Sequence, residues 1–159
     1  MVCHGNICRS PLAEGILRDR IKRAGLDWKV DSAGTNGYQP GCPPHHLSQK
    51  VAKLYGIDIC EQQCRHFTKD DIDNFDKIYV MDDHNYYDLQ RICGKKWDAK
   101  KVDFLLNEVY PAQNRNVPDP WFGGEDEFHK VYEIIDKACE KILEAPTLKG
   151  GWSLLKKYF

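Results

Sequence analysis

At 159 residues the chain is sized for one domain with a core of its own, held without a disulfide scaffold or a structural metal. Apolar residues at 42% and charged residues at 30% exclude a disordered or fibrous chain, and 23 Lys and Arg against 24 Asp and Glu, a formal net charge of -1, exclude bulk attraction to nucleic acid. No run approaches the roughly 18 apolar residues of a membrane span and no secretory leader is visible, so a cytoplasmic setting without membrane contact is expected. Seven cysteines, an odd number at irregular spacing, read as reduced thiols.

Residues 11–25 place Leu12, Ala13, Ile16, Leu17, Ile21 and Ala24 at helical spacing, with charged residues largely opposite and Gly25 at the end. Ser10 is the expected N-cap and Pro11 the first helical residue. "WKVDSA" (28–33) reads as a strand, the loop "GTNGYQPGCPP" follows, and a second helix runs from about His45 to Tyr55, closed by Gly56. "DKIYVMD" (76–82) reads as a buried strand, 83–93 as a helix, "VDFLLN" (102–107) as a strand and 125–144 as a long amphipathic helix. This alternation predicts an open parallel sheet covered on both faces, with ligands at the carboxyl ends of the strands. The expected domain is 1–144, and "APTLKGGWSLLKKYF" (145–159) reads as a C-terminal extension.

The chemistry concentrates in "CHGNICRSP". A helix beginning at Ser10 turns its free N–H groups and the positive end of its dipole toward the loop, where an oxyanion is stabilised. Gly5 and Asn6 tolerate the positive φ that a cradle of inward-facing amides requires. Thiols in such a field lose their proton more readily, which makes Cys3 the candidate nucleophile. Arg9 supplies a planar fork matched to two phosphate oxygens. The Gly-Lys-Ser/Thr ending of the nucleotide P-loop is absent.

"VCHGNICRSP", "DSAGT", "YVMD" and "VPDPWFGG", in that order, resemble the low-molecular-weight protein-tyrosine phosphatases over about residues 1–144. The resemblance implies a flavodoxin-like, three-layer α/β fold with four parallel strands, and hydrolysis of a phosphotyrosine protein or small aryl phosphate through a phosphocysteine, with no metal or other cofactor. It makes Cys3 the nucleophile, Arg9 the phosphate clamp and Asp119 the general acid. His4, Gly5, Asn6, Ile7, Cys8, Arg9 and Ser10 become the phosphate cradle.

Asp119, between Pro118 and Pro120, is presented from a stiff extended loop, and Trp121 and Phe122 follow it as substrate walls. By resemblance Tyr38 is the opposite wall, Ser10 donates to the Cys3 thiolate and Asn6 ties the loop in shape. Cys8, in the same loop, is the candidate to close a reversible disulfide with Cys3 under oxidation, with inert burial as the alternative. Ile7 suits a phenyl ring, where relatives acting on phosphoarginine carry threonine. The chain departs from the family pattern at Gln62, where a histidine is usual, and at His45 and Leu47, where an aspartate and an arginine are usual; altered rate or pH profile is expected.

"CPPHH" (42–46) and "CEQQC" (60–64) could offer thiolates and an imidazole to zinc, though scattered Cys and His more often only pack. Two rival functions are an arsenate reductase of related fold, which calls for a paired downstream cysteine where Cys93 stands alone, and a noncatalytic phosphate- or phosphotyrosine-binding module, in which Cys3, Arg9 or Asp119 would be replaced. In the resembled family an apolar strand precedes the nucleophile, and only Met1 and Val2 stand for it here. A truncated first strand is therefore expected, with a distorted phosphate loop and lowered stability that apolar residues added before Met1 would relieve.

Overall fold

A computed structural model describes residues 1–37 and 40–144; the expected wall at Tyr38 and the extension 145–159 lie outside them. Four short parallel strands, β1 (Val2–Cys3), β2 (Ala33–Gly34), β3 (Ile78–Val80) and β4 (Val102–Phe104), form one sheet in the order β2-β1-β3-β4. Val2 pairs with Ala33 on one side and Val80 on the other. The chain leaves β1 for opposite edges of the sheet, so the carboxyl end of β1 opens at the topological switch point, where open α/β sheets bind ligands.

Side chains alternate across the sheet as the two-residue period of a strand requires. Val2, Ala33, Ile78, Val80, Val102 and Phe104 pack on one face with Leu89 and Cys93 of α4 (Asp83–Cys93). Cys3, Tyr79 and Met81 turn to the other face. There they meet α1 (Arg9–Arg23), α2 (His46–Leu54) and α5 (Glu125–Glu144), through residues such as Leu12, Val51 and Ile135 that are 0% exposed. Two layers of helix around one sheet make the three-layer α/β fold. A short helix, α3 (Asp71–Asn74), precedes β3, and 3-10 turns follow α4 and β4.

The first strand is as short as expected: the two residues of β1 pair with both neighbours, Ala33 N–H donating to the Met1 carbonyl and Met81 N–H to the Val2 carbonyl, while a cavity of about 600 Å³ lined by Met1, Leu17, Ile21, Val30, Tyr79 and Ile142 opens beside Met1. The loop that follows is still hydrogen-bonded on its β2 side, because the rungs that carry it lie at the carboxyl end of the strand. Several expectations are corrected. The strand expected over 28–33 pairs only at Ala33, since the β1–β2 ladder begins at Val2; upstream, the Asp31 carbonyl accepts from the Met1 ammonium at 2.9 Å. Leu105 to Glu108 leave the strand expected over 102–107 for a 3-10 turn. Ser10 is not the N-cap: α1 starts one residue earlier, at Arg9, with Cys8 as cap and no side-chain cap bond, because the Ser10 hydroxyl is engaged in the loop.

Ile135 lies at the middle of α5, wholly inside the core. Ile135→Ala should cost about 2–5 kcal/mol. A lowered urea midpoint at unchanged m, with KM unchanged in the folded fraction, is the expected result.

Candidate active site

The loop "CHGNICR" joins β1 to α1, and its shape is fixed from three sides. From below, Thr35 N–H donates to the Cys3 carbonyl and Asn36 N–H to the His4 carbonyl, both at 3.0 Å. This close approach needs Gly34: a Cβ there would stand 2.7 Å from the His4 carbonyl oxygen and 3.0 Å from the Asn6 nitrogen. From the side, His45 N–H donates to the Ile7 carbonyl at 2.7 Å and Ser48 Oγ to the Cys8 carbonyl at 3.2 Å. From within, Asn6, at φ 54°, donates through Nδ2 to Ser10 Oγ and Ser32 Oγ at 2.9 Å each and accepts from Arg65 N–H at 3.0 Å.

Ser10 Oγ stands 3.0 Å from Cys3 Sγ. That hydroxyl oxygen accepts from Asn6, and its own hydrogen goes to the sulfur once Cys3 is a thiolate, which can only accept. Ser32 Oγ likewise accepts from Asn6 and donates to Glu14, a 5% exposed carboxylate that also takes Arg18. A line of polar groups thus runs from the thiol under the loop to the first turns of α1.

Arg9 lies across the mouth of the loop. Its Nη1 donates to Asp82 Oδ2 at 2.6 Å and to the Val117 carbonyl at 3.0 Å, and Nη2 donates to Asp119 Oδ2 at 3.0 Å. Burial works against its charge, but the charges of Cys3 and Asp119 and the bond to Asp82 outweigh it and raise its pKa. Asp82 does two jobs, because its other oxygen accepts from Asn85 N–H in a capping box at the start of α4. Val117 N–H donates to the Met81 carbonyl, which fixes the loop carrying Asp119 to the end of β3.

Cys3, Arg9, Ser10 and Asp119 are therefore brought together, with the Asp119 side chain half exposed. Ile7 is buried and packs into the core, so it bears on a ligand through the packing of the loop. Cys8 is also buried, and burial, with the Cys3 and Asp119 charges, pushes its thiol up to about 12. Trp121 is 39% exposed, its ring edge-on to His45 at 5.5 Å, and His45 stacks on Phe128 at 5.0 Å. Phe122 is 98% exposed. Gln62 donates to the Pro11 carbonyl at 3.2 Å, and the Nδ1 of His45 accepts from Leu47 N–H at the start of α2. The zinc grouping is not assembled: among the described residues no three of His, Cys, Asp or Glu converge to hold a metal.

Asp82, Ser32, Glu14 and Arg65 are the site residues that sequence reasoning missed. Asp82 and Ser32 lie inside motifs quoted for the resemblance, "YVMD" and "DSAGT", and only the pairings across the fold disclose what they hold.

Residues 1–150 match the family described as low molecular weight phosphotyrosine protein phosphatase. The chain belongs to that family. A Gallus gallus low molecular weight phosphotyrosine protein phosphatase is 38% identical over 91% of this chain and 92% of its own. Among solved structures, YfkJ from Bacillus subtilis superposes with a TM-score of 0.81 at 35% identity, covering 99% of this chain and 94% of that one. Vibrio vulnificus Wzb in complex with benzylphosphonate gives 0.80 at 26% identity, covering 90% and 94%. The family is one of cysteine-dependent hydrolases, and its sheet and helices are those described above.

Burial raises the thiols of Cys8, Cys93 and Cys139 above the ordinary 9.0. The folded state thus holds protons that the unfolded state gives up from about pH 9, and stability falls as pH rises from there through about 12, the value for Cys8. Urea midpoints should decline above pH 9, and Cys8→Ala should flatten part of that decline.

Proposed function

We propose that this protein hydrolyses aryl phosphate monoesters, as phosphotyrosine in proteins or as small aryl phosphates, through a phosphocysteine on Cys3. The observation that carries this reading is the Arg9 guanidinium, which stands in one mouth with the Cys3 loop and reaches Asp119 at 3.0 Å. Loop amides from His4 to Ser10 receive the phosphate oxygens, and the Arg9 fork follows them as phosphorus passes from tetrahedral to trigonal bipyramidal. The Cys3 sulfur attacks in line, and the ester oxygen leaves with a proton from Asp119. Ser10 donates to the sulfur when it becomes the leaving group, as water, deprotonated by Asp119, attacks phosphorus. Trp121 is the wall for the ring, held from behind by His45, which stacks on Phe128, with Phe122 beside it in sequence. The benzylphosphonate bound to the Vibrio relative, a phenyl ring one carbon from phosphorus, supports an aryl substrate.

When peroxide oxidises the Cys3 thiolate to sulfenic acid, the Cys8 sulfur attacks that sulfur, an S–S bond forms as hydroxide leaves, and a reversible disulfide closes. Seven cysteines, all reduced, suit a cytoplasmic setting. We take residues 1–144 as the catalytic domain and 145–159 as an appended segment. A thiol relay is disfavoured by Cys93, which packs in the core with Leu89 and Phe104.

Cys3→Ser should abolish turnover, and Arg9→Lys should lower kcat/KM by at least about 10², since a point charge cannot replace the fork. Asp119→Asn should slow phenyl phosphate about 10²–10⁴-fold and p-nitrophenyl phosphate far less, because only the poorer leaving group needs the proton. Equal losses on both esters would assign Asp119 to structure, and arsenate reduction exceeding ester hydrolysis in the wild type would overturn the reading.

A further inference from the structure

A second thiol pair lies away from the phosphate loop and has no part in the chemistry above. Cys64 N–H donates to the Cys42 carbonyl and Gly41 N–H donates to the Cys64 carbonyl, each at 2.8 Å. Two residues, Gly41 and Cys42, thus face one, and Gly41 takes φ 95°, which is the bonding pattern of a G1 bulge. The narrow bridge sets the two side chains on one side, where the Cys64 and Cys42 thiols are in hydrogen-bonding contact. Backbones this close satisfy the spacing a disulfide needs. Both residues are reduced; Cys64 is buried and Cys42 partly exposed.

The place of the pair gives it leverage. Residues 34–45 touch the phosphate loop at both ends, through Thr35 and Asn36 at one and His45 at the other. Cys64 ties the middle of that segment to Arg65, whose N–H holds Asn6. Cys60 is the nearest rival in sequence and is exposed, but its N–H donates to Asp58 and its sulfur to Glu61 beside it.

We propose that Cys42 and Cys64 are a redox site: hydrogen peroxide converts them to a disulfide that staples Cys42, in the stretch 40–45 that leads to His45, to Cys64, independently of Cys3 and Cys8. The Cys42 thiolate attacks one peroxide oxygen, forming an S–O bond as the O–O bond breaks and hydroxide leaves. The Cys64 sulfur then attacks the sulfenic sulfur, the S–S bond forms, and the S–O bond breaks with departure of hydroxide. Two thiols and one peroxide thus give a disulfide and two waters, the sulfurs oxidised and the peroxide reduced. A dithiol reductant returns both thiols.

The test uses the full chain carrying Cys3→Ser and Cys8→Ser, so that the competing pair is silent. After hydrogen peroxide, a non-reduced digest analysed by mass spectrometry should contain a peptide joining Cys42 to Cys64, and the intact protein should lose about 2 Da. Its melting temperature should rise by several degrees through the closed loop. Dithiothreitol should reverse all three changes, and a further Cys42→Ser should prevent them. If that background does not fold, the wild type treated under saturating inorganic phosphate gives the same reading from the same peptides. Cys42 and Cys64 remaining thiols, Cys42 advancing to sulfinic acid, or either pairing with Cys60 overturns the site. A Cys42–Cys64 disulfide with no rise in melting temperature overturns the staple.

Discussion

A guanidinium with 3% of its side-chain surface exposed cannot stay charged inside a fold unless carboxylates face it, and the geometry of this protein follows from how Arg9 meets that demand. Asp82 comes from the cap of α4, Asp119 from the loop after Val117, and the Val117 carbonyl fills the remaining donor on Nη1. One side chain therefore sets the distance between the start of α1, the start of α4 and the Asp119 loop. The arrangement is asymmetric in a useful way. Asp82 is nearly as buried as Arg9 and acts as a permanent counter-ion, while half of the Asp119 side chain is open to solvent. In the reaction proposed above, an arriving phosphate dianion would compete for Nη2, and the partner it would displace is the carboxyl group assigned to the leaving oxygen.

The network under the loop is ordered by the same accounting of donors and acceptors. The Asn6 amide has two hydrogens, spent on Ser10 and Ser32, and its oxygen takes Arg65 N–H, so its orientation is settled by its neighbours. Each serine then has one hydrogen left, directed to Cys3 in one case and Glu14 in the other. The positive φ of Asn6 is the backbone cost of this arrangement, and three side-chain bonds in a buried pocket offset it.

Helices were legible in the sequence to the residue where periodicity and end signals agreed. The predicted 83–93 and 125–144 are α4 and α5 as observed, with Asp82 capping the first. Strands were legible by hydrophobicity but not by length, because a strand extends only as far as a neighbour pairs with it; 28–32 carry strand-like residues and no ladder. Cys3 and Arg9 were picked out by the chemistry of the loop and Asp119 by resemblance, and the fold brings Arg9 against Asp119 in the mouth of the Cys3 loop. Ser10 was misplaced for an instructive reason: a hydroxyl suited to cap a helix is equally suited to a thiolate, and local sequence cannot say which partner the fold supplies. Asp82, Glu14 and Arg65 escaped notice because their partners lie 73, 18 and 59 positions away.

The departure at Gln62 shows how the site accommodates change beyond its reacting groups. Helix α1 lies against residues 57–62 so closely that a Cβ on Gly15 would meet the Ile59 Cγ2 at 2.4 Å, and Gln62 Nε2 would be 3.6 Å away. In that space Gln62 donates to the Pro11 carbonyl, two residues beyond Arg9, while its own Oε1 is buried without a hydrogen-bond partner. A histidine there would bring a group that changes charge near pH 6.5. An amide brings none, so this corner keeps one hydrogen-bonding state across that range and bears on the loop only through position. The buried unpaired oxygen is a cost of order 1–3 kcal/mol, and it falls on the packing of α1 against residues 57–62 rather than on the loop. That penalty thus falls on the scaffold, where Ile57 and Ile59 pack in the core with α1.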